Sequence, residues 1–433
     1  MSDWKCYQLK NLGVIKTGKT PPSSCKDAFS NTGVPFVTPK DMNGVKTIFK
    51  TERYLSKIGL DSVKNYLVPK NSIAVSCIGS DMGKAYLLSE DSVTNQQINT
   101  LIVNNNHNFE FIYYKLSIMQ DYLKSIAGGS ATPILNKSHF SEIEIELPDL
   151  DTQNNFVEKL KYLDKKIQLN TQINKTLEQI AQALFKSWFV DFDPVRTKVQ
   201  ALSDGLSLEQ AELAAMQAIS GKTAEELTAL SQTQPERYAE LAETAKAFPC
   251  EMVEVDGVEV PKGWEIQYLK DVCNIVYGKN LPTTKLIKEG YPVFGGNGVI
   301  GYYDNFLYET PQTLVSCRGA ASGKVLYSLP YSFVTNNSLV IEHEKSGLSY
   351  FYIYEALKLQ NLTELTSGSA QPQMTIANMA SVQILVPSEK TNEAYKKHVS
   401  LFYDKRYQNN LESEKITETR DLLLRKLLNG ECQ

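Results

Sequence analysis

Phe294-Gly-Gly-Asn-Gly298 has the Phe-x-Gly-x-Gly spacing of a loop that cradles S-adenosylmethionine (AdoMet). An amino-methyltransferase also needs an Asn/Asp-Pro-Pro-aromatic tetrapeptide to hold its target amine, and the chain has none. A glycine-rich turn with Asn297 pointing outward accounts better for the pattern. Gly79-Ser-Asp-Met-Gly-Lys84 resembles a phosphate-cradling P-loop, but it is one residue short and no Ser or Thr follows its lysine. Gly319 to Lys324 departs from the motif in the same way. His107, His139, His343 and His398 stand at no metal-ligand spacing, and the seven cysteines include no Cys-x-x-Cys pair. Neither a Ser/His/Asp arrangement nor a carboxylate–lysine nuclease core can be picked out. No catalytic residue, metal ligand or cofactor site is therefore assigned to this chain.

The chemistry that does recur is cationic. Lys10, Lys19 and Lys84 reappear as Lys270, Lys279 and Lys324 in matching contexts, the second and third pairs each following a glycine. A lysine beside a glycine in a loop, with backbone N–H groups nearby, can approach a phosphate closely; a solvated turn lysine is the plainer account of any single position. Arg318, the only arginine between residues 263 and 388, could read a guanine edge with two hydrogen bonds or pair with a local carboxylate. The candidate DNA contacts are Lys19, Lys84, Lys279, Asn297, Arg318 and Lys324.

These residues lie in a tandem repeat. Trp4-x4-Leu9-Lys10 ending in Gly18-Lys19 recurs as Trp264-x4-Leu269-Lys270 ending in Gly278-Lys279. Gly33-Val-Pro35 and Val93-Thr-Asn95 recur as Gly290-Tyr-Pro292 and Val334-Thr-Asn336. Val75-Ser-Cys77-x-Gly79-x3-Gly83-Lys84 matches Val315-Ser-Cys317-x-Gly319-x3-Gly323-Lys324, and Gly129-Ser-Ala-x-Pro133 matches Gly368-Ser-Ala-x-Pro372. Finally, Ile145-x-Leu147-Pro148 matches Ile384-x-Val386-Pro387. The offset drifts from 260 to 239 residues, so loops differ in length while the framework persists. Short β-rich runs (72–78, 99–103, 312–317, 338–341) alternate with Gly, Pro and Asn turns. A helix over 109–124 or 348–359 follows, and a closing strand over 143–147 or 382–386 ends at a proline.

A long helix is predicted after each copy. Phe156, Leu160, Leu163, Ile167, Asn170, Asn174, Leu177, Ala181, Leu184 and Trp188 step by four and three, a heptad seam. The same spacing runs through Tyr395, Val399, Phe402, Arg406, Asn409, Ser413, Ile416, Arg420, Leu423 and Leu427. Both seams are apolar at their ends and polar in the middle. An antiparallel pair would set Asn170 and Asn174 against Arg406, Asn409 and Ser413, a polar layer that fixes register; the alternative is that each helix packs only on its own module. At ~1.5 Å per residue the first seam spans about 50 Å, roughly 15 base-pair steps at ~3.4 Å. Modules at the ends of such a rod would address half-sites a turn or more apart. Leu184, Phe185, Trp188, Phe189 and Phe192 crowd more apolar surface than two helices can cover, which marks them as candidates for partner docking; the alternative is that they pack against the linker that follows.

The expected architecture is α+β. It comprises a mixed module at 1–150, a long helix at 151–195, a helical acidic linker at 196–262, a second mixed module at 263–388 and a long helix at 389–433, with the two helices paired antiparallel. A hydrophobic fraction of 42% with 22% charged residues supports ordinary cores. The net charge of −4 is concentrated. Residues 201–262 carry four basic against twelve acidic side chains, whereas residues 1–141 carry sixteen against ten. The acidic linker does not exclude a nucleic-acid partner for the modules. No apolar run reaches the roughly 18 residues of a membrane span, and the N-terminus lacks a signal-peptide core, so a cytoplasmic protein is expected.

Ile180-Ala-Gln-Ala-Leu-Phe-Lys-Ser-Trp-Phe-Val-Asp-Phe-Asp-Pro-Val195 resembles the central helical region of the specificity (S) subunits of type I restriction–modification systems. Tyr291-Pro-Val-Phe-Gly-Gly-Asn-Gly-Val-Ile-Gly-Tyr302 resembles that family's target-recognition domains. So does Pro387 leading into a helix that ends Asp421-Leu-Leu-Leu-Arg-Lys-Leu-Leu-Asn-Gly-Glu431. The resemblance covers essentially the whole chain. It implies a non-catalytic subunit whose two target-recognition domains read a bipartite site in double-stranded DNA, with the paired helices as a ruler. It also implies two modification subunits carrying AdoMet, and restriction subunits using ATP and Mg. The first module departs from the pattern, with Gly33-Val-Pro-Phe-Val-Thr-Pro-Lys40 where the second has its Gly-Gly-Asn-Gly loop, so the half-sites should differ. Rival expectations are a specificity subunit of a methyltransferase-only complex, a self-contained DNA methyltransferase, and a structural coiled-coil adaptor.

Overall fold

A computed structural model describes residues 4–43, 46–79, 81–127, 134–366 and 373–428. Both Gly-Ser-Ala-x-Pro turns lie outside the described residues, and the side chain of Leu427 is likewise outside them. The chain divides into two compact units, residues 1–172 with 410–433, and residues 173–409. Each holds one module together with segments of both long helices, Leu150–Phe189 and Glu389–Leu428.

In the first unit, Lys5–Gln8 pairs antiparallel with Glu144–Leu147, joining the two ends of the module. A five-stranded sheet runs Gly13–Thr17, Ile98–Val103, Ile73–Ser76, Ala85–Leu88, Thr47–Ile48. A second sheet contains Val34–Val37 beside Ser92–Thr94 in parallel. Asn108 starts the helix Phe109–Ser117 by accepting from the N–H groups of Glu110 and Phe111 at 2.9 and 3.1 Å. The expected single helix over 109–124 is two helices, and the second is Gln120–Ser125. The break lets Gln120 Nε2 donate to Met82 O at 3.1 Å.

The second unit repeats this frame. Glu265–Tyr268 pairs with Gln383–Val386, and a sheet runs Asn274–Tyr277, Ser338–Glu342, Thr313–Ser316, Val325–Tyr327. The correspondence extends to individual hydrogen bonds. Leu9 N donates to Ile143 O at 3.0 Å as Leu269 N donates to Val382 O at 2.8 Å. Cys77 N to Gln97 O (2.8 Å) is repeated by Cys317 N to Asn337 O (2.9 Å).

The long helices run antiparallel within each unit. In the first, Asn170 Nδ2 donates to Ser413 Oγ at 3.2 Å and Arg420 Nη1 lies 3.1 Å from Asp164 Oδ1. In the second, Asn409 Nδ2 donates to Asn174 Oδ1 at 2.8 Å and Arg406 Nη2 lies 3.1 Å from Glu178 Oε2. Every seam position with a described side chain is buried or half-buried. Helix pairing and packing on a module occur together: Phe156, Val157, Leu160 and Leu424 belong to the core of the first module.

The candidate docking residues follow the packing alternative rather than the docking one. Phe185, Trp188, Phe189 and Phe192 are buried at 3, 0, 5 and 8% exposure, and Leu184 packs against the same cluster half-buried. Trp188 stacks edge-on against Phe248 at 4.9 Å; Phe189 meets Tyr352 and Tyr395 at 4.8 and 5.1 Å; Phe192 meets Trp264 at 5.9 Å. The apolar surplus that two helices could not cover is covered by the linker and the second module, so Phe185, Trp188, Phe189 and Phe192 are core side chains and Leu184 is half-buried beside them.

The first long helix also ends earlier than residue 195. Phe192 adopts a left-handed backbone (φ 57°), and Pro194 then begins a new helix, Asp193–Ser203. Helices Leu208–Ser220, Ala224–Thr233 and Pro235–Lys246 come next, within the stretch expected as a helical linker. The sequence reading missed a hairpin, Met252–Val255 with Val258–Pro261. Its signal was Asp256-Gly257, both at positive φ (49° and 79°), the chemistry of a two-residue turn.

Trp188→Ala should lower unfolding free energy by about 3–5 kcal/mol, measured by urea denaturation; a near-native midpoint would mean that the ring is not core. Asn409→Leu removes the donor that Asn174 Oδ1 accepts from and should cost ~1–3 kcal/mol. Adding Asn174→Leu should restore most of that loss in the same titration, whereas two independent, additive losses would show that the pair is not coupled.

Candidate nucleic-acid interface

Four chain segments of the second module meet at one edge of its sheets. Asn274–Tyr277 ends at this edge, where Gly278 N donates to Ser338 O at 3.0 Å and Lys279 N to Val334 O at 2.9 Å. Asn336 N returns a bond to Lys279 O at 3.2 Å, and Thr335 N donates to Phe294 O at 2.9 Å. A Cβ on Gly278 would sit 2.3 Å from Thr335 O, and one on Gly18 would sit 2.1 Å from Thr94 O. In both copies the glycine is therefore demanded by backbone crossing backbone, and the lysine after it is exposed.

The Gly-x3-Gly-Lys motif is a hairpin turn. Gly83 N donates to Ser76 O at 2.7 Å, and Gly323 N to Ser316 O at 2.9 Å. All four glycines have positive φ, from 73° to 88°. Strands Ala85–Leu88 and Val325–Tyr327 come after it, where a P-loop would begin a helix. Lys84 is half-buried and pairs with Asp81 at 2.8 Å, an ion pair that raises its pKa. Ala321 stands where Asp81 would be, and Lys324 is exposed. The two copies thus differ in how freely they offer this charge.

Arg318 is exposed beside Cys317, and its backbone bridges Gln373 as that of Ile78 bridges Ile134. The arginines that form ion pairs among the described residues are Arg196, Arg406 and Arg420. Asn297 is exposed in a two-residue turn between Tyr291–Gly295 and Gly298–Tyr303. The structure therefore brings Lys279, Asn297 and Arg318 to one edge, with Lys324 on the same edge beyond the next hairpin. In the first module Lys19 sits at the equivalent strand end, its ammonium 5.3 Å from the Tyr66 ring centroid. Thr20 Oγ1 there donates to Gln96 Oε1 at 2.6 Å.

Burial disfavours the charged forms of several acid–base and nucleophilic groups in the two modules. Burial pushes the Cys77 thiol up to about 11 and also raises Cys317, against the opposing charge of Arg318. Burial lowers the pKa values of His107 and His343. Among the described residues no group of three His, Cys, Asp or Glu side chains is placed to hold a metal ion, and no helix is long and apolar enough to cross a membrane. Sequence reasoning missed Val299 and Ile300, exposed beside Asn297 at 46 and 45%; their apolar character within a glycine-rich turn was the available signal.

The family described as Type I restriction modification DNA specificity domain matches residues 1–179 and 261–418. The chain is 38% identical over 470 aligned residues to the type I restriction enzyme HindI specificity subunit of Haemophilus influenzae, covering 100% of both chains. It is 23% identical to the MjaIX specificity subunit of Methanocaldococcus jannaschii, covering 100% of this chain and 94% of that protein. Among solved structures, a type I restriction–modification S subunit from M. genitalium shares the fold, with a TM-score of 0.51, 18% identity, and coverage of 98% of this chain and 96% of that one.

Gly278→Ala should destabilise the second unit by about 1–3 kcal/mol through overpacking, seen as a lower melting temperature, with Gly18→Ala doing the same in the first. An unchanged melting temperature for both would show that the crossing can relax.

Proposed function

Because the chain belongs to the type I restriction–modification DNA specificity family, we propose that it selects the DNA sequence on which partner subunits act, and itself catalyses nothing. Each module addresses one half of a split target in double-stranded DNA, and the stretch between the halves goes unread. Two modification subunits supply AdoMet and methylate; restriction subunits use ATP and Mg to translocate and cleave. The work takes place in the cytoplasm. The observation that carries this reading is the doubled edge. The same backbone crossing presents an exposed lysine, Lys19 or Lys279, in each module, while the loops around it differ.

Lysines at such an edge hold phosphates and set register without reading bases. Neutralising Lys279 and Lys324 to Ala in the assembled complex should weaken binding about equally for all sequences. It should also lower the slope of log affinity against log salt by about 1 for each phosphate no longer neutralised. Fluorescence anisotropy across a salt series measures this, and an unchanged slope would count against phosphate binding by these lysines. Sequencing the methylated bases of cells that express the chain with its modification subunit tests the reading as a whole: a single two-part motif with an unspecified gap is expected. Modification that shows no sequence preference would overturn it.

A further inference from the structure

We propose that the hairpin Tyr291–Tyr303 is the element through which the second module reads base edges, with Asn297 and the exposed pair Val299–Ile300 as its specificity-determining side chains. The inference rests on the reading of this chain as a DNA-selecting subunit.

The hairpin is two-stranded, and its turn is Gly296-Asn297, since Gly295 pairs with Gly298. A duplex major groove, about 12 Å wide, admits a two-stranded β-ribbon. The turn itself is seated against the module on one side. Ser338 Oγ donates to Gly295 O at 3.2 Å, and a Cβ on Gly296 would lie 2.7 Å from Ser316 Oγ. Lys279 and Arg318 lie on strand ends that adjoin the strands under this turn, where they can hold phosphates while the exposed side chains of the hairpin face the bases.

The side chains near the tip depart from the alternation of a regular strand. Phe294 pairs with Val299 but Val293 pairs with Gly301, so Ile300 is an extra residue, a β-bulge. A regular strand would send Val299 and Ile300 to opposite faces; with the bulge both are nearly half exposed. Gly295 makes room for this, because a Cβ there would lie 2.9 Å from Ile300 Cγ2. The tip thus offers one amide and two branched apolar groups side by side. An amide can bond the N6 and N7 atoms of adenine, and apolar groups recognise the thymine methyl. The target chemistry is an A·T-containing step in the second half-site.

The first module is built differently at this point. Asn95 N donates to Val37 O at 2.9 Å, the structural counterpart of Thr335 N to Phe294 O. Lys19 N to Thr94 O and Lys279 N to Val334 O set the two copies one residue off the Val-Thr-Asn match of the sequence. Beyond Val37 the chain forms a compact turn in which Asp41 Oδ2 accepts from Thr38 N and Thr38 Oγ1, both at 2.8 Å, leaving Lys40 exposed. A change in the hairpin should therefore reach one half-site only.

The test is base-modification sequencing of cells co-expressing the modification subunit with the parent chain, Asn297→Ala or Ile300→Ser. For each variant we expect discrimination at one A·T position of the second half-site to fall about tenfold, with the first half-site and the gap unchanged. Both side chains are exposed, Ile300 at 45%, so each variant should melt close to the parent and co-purify with the modification subunit. An unaltered second half-site in both variants would overturn the proposal. So would a changed first half-site, or complete loss of modification despite normal assembly. If the parent complex itself shows no two-part motif, the reading of the chain as a sequence-selecting subunit fails, an outcome visible before any variant is compared.

Discussion

Neither globular module closes its own core. A sheet with one apolar face needs another layer over it, and in each unit that layer includes side chains from both long helices. Leu160 and Leu424 supply them in the first unit; Phe185, Trp188, Tyr395 and Val399 do so in the second. One of the two helices in each case belongs to the other sequence repeat. This sharing is the constraint on which the rest depends. A module cannot form its core unless the helix segments beneath it are paired, and their seam is finished only when a module lies on it.

The polar groups in these layers fix which arrangement is reached. Hydrophobic burial is non-directional and tolerates small slips of one helix along another. Asp164 does not, since it receives Arg420 at 3.1 Å, Lys46 at 3.1 Å and the Tyr114 hydroxyl. Glu178 plays the corresponding part in the second unit. Burial opposes its ionisation, but the Lys358 hydrogen bond and the Arg406 charge outweigh that and hold its carboxyl below the usual range. Displacing the partners of the buried Asp164 by a heptad would leave its charge uncompensated, at a cost of about 3–5 kcal/mol, and less at the partly exposed Glu178. The cost at Asp164 is comparable with losing a large core side chain, so register is held as firmly as the core itself.

Much of this is legible in the sequence because it is periodic or repeated. The four-three spacing locates both long helices and their polar middle, and the matched glycines and lysines locate the sheet edges. Other features escape for identifiable reasons. Phe185, Trp188 and Phe189 look like a surplus when set against a two-helix pair, although the layers that cover them come from residues up to about 200 positions away. Leu150–Phe189 stops short because of a left-handed Phe192, a conformation that an aromatic residue adopts only when packing imposes it. The hairpin around Asp256-Gly257 has a turn signal in the sequence, but its short strands pass for a lead-in to the second module. The bulge at Ile300 has no such signal, because pairing register is a tertiary fact.

The Gly-Lys motifs show why repetition alone does not identify function. Gly18 and Gly278 recur because a Cβ would collide with a carbonyl oxygen, a requirement that any partner-free domain of this shape would share. Folding places no such demand on the exposed lysines that come after them. Lys84 and Lys324 separate the two influences further. Their turns close with the same hydrogen bond, Gly83 N to Ser76 O and Gly323 N to Ser316 O, yet one ammonium is held by Asp81 and the other faces solvent beside Ala321. A frame fixed this tightly by glycines and buried charge leaves its edge loops free to vary, and the two modules use that freedom differently: a tied Thr38–Asp41 turn in one and a bulged, apolar-tipped hairpin in the other.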